Sequence, residues 1–240
     1  MRLSIITIAY QDVDELKATI ESVHNQTTQP FEHILVTKKI GKDFLLQLEN
    51  VKLITDKDQS LYNAMNLGLR KAEGTHVFFL NSGDVFYNEK SIEHIYSDVD
   101  DYQCEVYRTC QVYEDLKFIR PGLARLKDSA INPAHQGFIT PINKKPDMRI
   151  YFNEKSAISS DIEWMKENIG VYGIQVNQNV LSYFHLGGIS NSPSLKTLKI
   201  RLLERNKFTK EFVKFLIRKV VGNRFYYTIL SRVSGYERVE

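Results

Sequence analysis

A chain of 240 residues with 42% hydrophobic and 25% charged residues, and only two cysteines, has the profile of an ordinary folded protein, which excludes collagen-like, disordered and disulfide-framework architectures. Its formal net charge of +3 conceals an asymmetry: residues 195–240 hold 12 Lys/Arg against 4 Asp/Glu, whereas residues 1–194 hold 20 against 25. An acidic body with a basic tail needs two separate explanations.

The opening MRLSIITIAY carries one basic residue and a short apolar run, without the length or the small-residue cleavage site of a signal peptide. No stretch reaches the ~20 apolar residues of a membrane span. The expectation is a cytoplasmic protein with Cys104 and Cys110 as free thiols.

Leu3 to Ala9 is a β-branched apolar run and predicts a buried strand. Asp12 then has the position of a helix N-cap, with Glu15 three residues on in capping-box spacing, and Leu16, Ile20 and Val23 mark the buried face. FEHILVT (31–37) predicts a second strand, KDFLLQLEN a short helix and VKLIT (51–55) a third strand. Ser60 caps a helix with Leu61, Ala64, Met65, Gly68 and Ala72 on one side, Gly74 stops it, and HVFFL (76–80) predicts a fourth strand. Apolar strands alternating with amphipathic helices imply a parallel sheet covered on both faces.

The second half is less regular. Residues 91–99 predict a helix, and 104–122 a strand pair turning near Glu114–Asp115. A Pro-containing loop runs to His135; SSDIEWMKEN starts a helix capped by Ser159 or Ser160, GIQVNQNVLSYFHL is extended, and GGISNSP closes the body.

In an open α/β sheet, ligands bind beyond the carboxyl ends of the strands. Asn81, Ser82, Gly83 and Asp84 lie there, directly after the fourth strand. Gly83 lets the backbone bend and a ligand approach. A carboxylate beside amide and hydroxyl oxygens suits a hard divalent cation, although Asn-Ser-Gly-Asp is also ordinary turn chemistry.

The block DKDQSLYNAMNLGLRKAEGTHVFFLNSGD (56–84), with SIITIAYQDVDELKATIESVHNQT before it, resembles the family-2 glycosyltransferases of the GT-A fold over about residues 3–190. It looks nearest to the exopolysaccharide and O-antigen (colanic-acid-type) branch, in which YDAMNKG and HQ elements recur. The resemblance implies an α/β, Rossmann-like, mostly parallel sheet flanked by helices, with a small antiparallel pair and a helical C-terminal tail. It divides the chain into a catalytic domain at 1–192, with a nucleotide-sugar half (1–97) and an acceptor half (98–192), and a basic helical extension at 193–240.

What it implies for the site follows residue by residue. Thr7, Ala9 and Tyr10 would pack on the nucleotide base, Asp58 would lie near base or ribose, and Tyr62, Asn63 and Asn66 would support the donor together with Asn81, Ser82 and Gly83. Asp84 would anchor Mn2+ or Mg2+, with His185 as an additional ligand in its neutral form. The donor would be a UDP-sugar or a GDP-sugar, and the acceptor a glycan or lipid-linked hydroxyl in cell-surface polysaccharide assembly. The reaction would invert the anomeric carbon, with Asp161 as base and Glu163 as the fallback. His135 and Gln136 would line the acceptor side; Trp164 would flank the acceptor or pack the helix of Asp161 into the core.

Two departures stand out: Thr37 and Lys38 occupy the turn where the family usually places an Asp, and Asn81 or Ser82 replaces the first acid of its metal motif. The second departure leaves room for a non-catalytic scaffold. A nucleotidyltransferase fits less well, because TIAYQDVDE has neither the glycine nor the lysine of a phosphate loop.

Residues 194–236 place helix-spaced Leu and Phe between Lys and Arg. They suit the surface of an anionic inner membrane, or a helical pair packed on this domain or on a second subunit. No helix-turn-helix, RNP or zinc pattern points to nucleic acid.

Overall fold

The four apolar runs of the first half become adjacent parallel strands in a computed structural model of the chain. The structure describes every residue except 11, 39, 41–43, 45–47, 57–59, 99–101, 124–132, 187–193, 206–207, 233–235 and 240. The expected helix after the second strand and the glycine loop at 187–193 therefore lie outside the described residues, as does Asp58.

Strand β1 (Leu3–Ala9) sits between β2 (Glu32–Thr37) and β4 (His76–Phe79), and β3 (Lys52–Thr55) flanks β2, all parallel. Every residue of β1 and β4 is buried, as strands covered on both faces require. Helix α1 (Val13–His24) starts where expected, with Asp12 Oδ1 accepting the Glu15 N–H at 3.0 Å, and buries Leu16, Ile20 and Val23. Helix α2 (Leu61–Lys71) is capped by Ser60. Its Gly68 lies against β1: a Cβ there would come within 2.5 Å of the Ile6 side chain. Leu61, expected on the buried face, is exposed instead; Tyr62 and Leu69 are buried.

The two halves share one sheet. β8 (Phe138–Pro141) inserts antiparallel between β4 and β6 (Cys104–Tyr113). β6 turns at Glu114 (φ 53°) into β7 (Leu116–Arg120), as the sequence predicts. β9 (Ile174–His185) runs parallel to β6 and pairs with the short β5 (Val85–Phe86) that follows the Asn81–Asp84 turn; α3 (Ser91–Asp98) comes next. Both cysteines are free and buried.

Trp164, on α4 (Ser160–Tyr172), fills the core beneath the strand ends. Its ring stacks on Phe152 at 4.6 Å and meets Phe79 and Phe138 edge-on, each at 5.6 Å, while Nε1–H donates to the Ile150 carbonyl. At 2% exposure it takes the core alternative of the two expected for it, packing the helix of Asp161 rather than presenting its ring at the surface. Trp164→Ala is expected to cost about 3–5 kcal/mol and lower Tm by roughly 10 °C, measured by thermal unfolding.

The tail is docked on the domain. It forms α5 (Leu195–Arg205) and α6 (Phe208–Leu230, broken at Gly222), and the chain returns to the sheet as β10 (Glu237–Arg238) on β7. Tyr227 packs on Tyr113 and Phe118, and Arg224 pairs with Glu114 and Asp115 at the β6–β7 turn.

Candidate active site

The end of β4 delivers Asn81–Asp84 to the sheet rim, and a helix side chain holds that turn in shape. Ser82 N–H donates to the Ile8 carbonyl at 3.1 Å, and Asp84 N–H closes the turn on the Asn81 carbonyl at 2.9 Å. Gly83 takes φ 91°, the left-handed region where a side chain is costly. Its N–H donates to Thr19 Oγ1 at 3.0 Å, while the Thr19 hydroxyl donates to the Asp84 carbonyl at 2.9 Å. Thr19 is fully buried on α1 among its apolar neighbours. A lone hydroxyl residue on an otherwise apolar helix face was the available signal, and sequence reasoning missed it. Thr19→Val, equal in shape, removes both bonds; the expected loss is about 1–3 kcal/mol in unfolding free energy.

The Asp84 side chain turns inward. It is 6% exposed and accepts from Gln136 Nε2 at 3.2 Å and from the His185 backbone N–H. Burial pushes its pKa up to about 7, against the opposing pull of His135 and of those two hydrogen bonds. His185 Nδ1 lies 3.0 Å from the Gly83 carbonyl, so this nitrogen carries the proton and leaves the lone pair on Nε2. Two buried oxygens beside Asp84, Asn81 Oδ1 and Ser82 Oγ, have no hydrogen-bond partner. Buried polar atoms are rarely left so, and these mark the place where a ligand would complete the turn.

The second acid faces the same rim. Ser159 holds the N-cap position of α4 but makes no side-chain cap, and the Ser160 hydroxyl instead accepts the Asn153 N–H. Asp161 falls in the first turn, where the helix dipole favours a carboxylate by about 0.3–1 kcal/mol. Its Oδ1 lies 3.4 Å from Tyr62 OH, and its Oδ2 lies 3.5 Å from His135 Nδ1. His135 Nε2 meets Asn81 Nδ2 at 3.2 Å. His135 and Gln136 share one 3₁₀ turn (His135–Gly137), so adjacent residues reach the two acids. Gln136 is thus buried against Asp84 rather than lining an acceptor surface.

Other expected residues have different tasks. Thr7 lies within β1, fully buried, with its hydroxyl donating to the Leu80 carbonyl at 2.8 Å and 2.9 Å from His33 Nε2. Ala9 is also buried, in the core with Leu16 and Ile20, so of the first loop only Tyr10 reaches partial exposure. The Asn66 amide is spent on the 152–154 segment: Nδ2 donates to the Phe152 carbonyl and to Glu154 Oε1, and Oδ1 accepts the Phe152 N–H. Asn63 Nδ2 donates to the other Glu154 oxygen at 3.2 Å. Glu154 and Asp56, the latter buried just past β3, were not foreseen. The signal for Asp56 was the one that found Asp84, an acid following a strand.

Among the described residues no three His, Cys, Asp or Glu come together as a metal cluster. The Asp84 carboxylate, the orphaned Asn81 and Ser82 oxygens and His185 Nε2 fit a hard divalent cation in donor type, and a single carboxylate implies weak binding.

The profile of the family described as Glycosyl transferase family 2 matches residues 4–164. A stretch of 95 residues is 30% identical to an uncharacterized glycosyltransferase of Rickettsia bellii, covering 37% of this chain and 14% of that protein. A stretch of 90 residues is 33% identical to one of Mycobacterium tuberculosis, covering 35% and 34%. The chain thus spans about a third or less of these relatives. Among solved structures, S. aureus TarS 1–349 in complex with UDP-GlcNAc superposes with a TM-score of 0.62 at 18% identity, over 94% of this chain and 74% of that one. The mannosyltransferase PcManGT of Pyrobaculum calidifontis, in complex with GDP-Man and Mn2+, gives 0.61 at 12%, over 90% and 64%. At these identities the likeness is one of fold, and the fold is that of the GT-A glycosyltransferases.

Proposed function

We propose, from the premise that the chain belongs to glycosyl transferase family 2, that it moves a hexose from a nucleotide-sugar to a hydroxyl of a lipid-linked or polysaccharide acceptor in cell-surface glycan assembly, with inversion. The donor is a UDP-sugar or a GDP-sugar, its diphosphate at the Asn81–Asp84 turn. The observation that supports this reading is the 3₁₀ turn whose His135 and Gln136 reach Asp161 and Asp84, so that the proposed base and the proposed cation ligand are tied to one turn.

Asp84, Asn81, Ser82 and His185 would hold Mn2+ or Mg2+, which when bound supplies Lewis-acid stabilisation of the departing nucleoside diphosphate. Asp161 takes the proton of the acceptor hydroxyl as its oxygen attacks the anomeric carbon, on the face opposite the leaving group. Tyr62 steadies the base: burial and the Asp161 charge push its pKa well above the usual range, so it stays an O–H donor toward Oδ1. His135 accepts from Asn81 on Nε2 and so presents Nδ1–H toward Oδ2. Through His135 this arrangement links Asp161 to the Asn81–Asp84 turn.

The test is donor hydrolysis with a panel of UDP- and GDP-sugars, with and without Mn2+. One donor is expected to release its nucleoside diphosphate at least ~10-fold faster with the metal. A chain that releases none from any donor is a scaffold. The anomeric configuration of the transferred sugar, read by NMR, tests inversion.

A further inference from the structure

Helix α6 is turned inside out. Its single acid, Glu211, is 3% exposed and pairs with Arg201 of α5 at 3.3 Å and with Lys214 at 3.5 Å. Arg218 is 7% exposed, lies over the rings of Tyr226 and Tyr227, and donates to Asn223 Oδ1 at 2.7 Å. Glu211 and Arg218 thus face the protein. Val213, Leu216, Ile217, Val220 and Val221 face outward, between 39 and 82% exposed. Their spacing of three, one, three and one residues places them on one continuous helical stripe. A stripe of this kind on a charged chain is not the residue of poor packing, since the same helix buries Glu211 and Arg218 at the cost of their hydration.

The flanks of the stripe decide what covers it. On a helical wheel the exposed Lys219 borders one side, and Lys214, paired with Glu211, borders the other. No carboxylate of α6 borders it, because Glu211, the only acid between residues 208 and 230, is turned inward. A second copy of the helix laid on the first would bring Lys219 no acid from α6, whose one carboxylate is already taken by Arg201 and Lys214. An aliphatic stripe edged by the exposed Lys219 instead matches a lipid interface, where the lysine stem reaches up to anionic headgroups. We infer that the outer face of α6 docks the protein on an anionic lipid bilayer, lying in the plane of the headgroups. Among the described residues no helix is long and apolar enough to cross a membrane, and this docking needs none. The helical pair also reaches the site: Glu204 of α5 accepts the N–H groups of Ala157 and Ile158, just before the helix that carries Asp161. The inference stands on α6 alone and does not depend on the proposed transfer.

The test is flotation of the full chain with vesicles of phosphatidylcholine and phosphatidylglycerol, two to one, against vesicles of phosphatidylcholine alone. Partitioning onto the anionic vesicles is expected to exceed that onto the neutral ones at least ~10-fold and to fall as salt rises. The double variant Leu216→Asp/Val220→Asp is expected to lose it at least ~10-fold, while Val171→Asp, at an exposed valine on α4, keeps it. Lys219→Gln, which leaves the apolar stripe whole, weakens it by a smaller factor, so the inference is tested even if the double variant unfolds. Absent flotation, equal binding to neutral vesicles, or wild-type binding by a folded double variant overturns the inference. So does a dimer in sedimentation that the double variant dissolves, since the occupant is then a second copy.

Discussion

Asp84→Asn is expected to abolish sugar transfer and yet to stabilise the metal-free protein above pH 7. The first effect follows from the proposed role: the variant removes the one carboxylate of the cation site, and turnover should fall at least ~10³-fold. The second follows from burial. Asp84 has a folded pKa of about 7 against 3.8 for the ordinary carboxyl, so the native state binds the extra proton between those values. Native stability therefore falls as pH rises through that window, and the penalty is complete above it. An unshifted neutral amide carries no such penalty. The variant should match the wild type near pH 4 and exceed it by about 2–4 kcal/mol at pH 8, a Tm gain of roughly 5–10 °C. Denaturation in chelating buffer at both pH values checks this. Equal Tm at pH 8, or retained transfer, contradicts the assignment.

Asp161→Asn is expected to lower kcat by about 10²–10⁴ while leaving donor affinity within ~3-fold. In the proposed role this carboxylate takes the acceptor proton, and its oxygens face Tyr62 and His135. An amide keeps the shape and loses the basicity. Tyr62→Phe, which removes one of the two contacts, should cost less, about 10-fold in kcat, with its pH profile shifted. Titration of nucleoside diphosphate binding by calorimetry separates the two readouts. A variant at Asp161 with more than a tenth of wild-type kcat would move the base elsewhere, with Glu163, next but one on α4, the first to try.

The strands, their parallel order and the acid at the end of β4 were legible because local pattern governs them. A β-branched run such as Leu3–Ala9 has nowhere to go but a covered sheet, and Asp12 and Ser60 cap helices by contacts three residues long. Which polar groups face the cleft was not legible. Thr7, Asn66 and Trp164 have the residue types of a binding site, yet each spends its polar atom on another part of the chain: Leu80, Phe152 and Ile150. Those partners lie 73, 86 and 14 residues away, beyond any periodicity.

By itself, then, the order of residues determined an α/β sheet with an acidic rim and a basic tail, since strand pattern, capping and charge are properties of short segments. Only the tertiary structure decided that Asp84 is sealed inward, that Thr19 and Gln136 hold it, and that α6 buries Glu211 and Arg218 and shows its valines. Desolvation and hydrogen-bond satisfaction are set by whatever atoms surround a group, and those atoms come from distant parts of the chain.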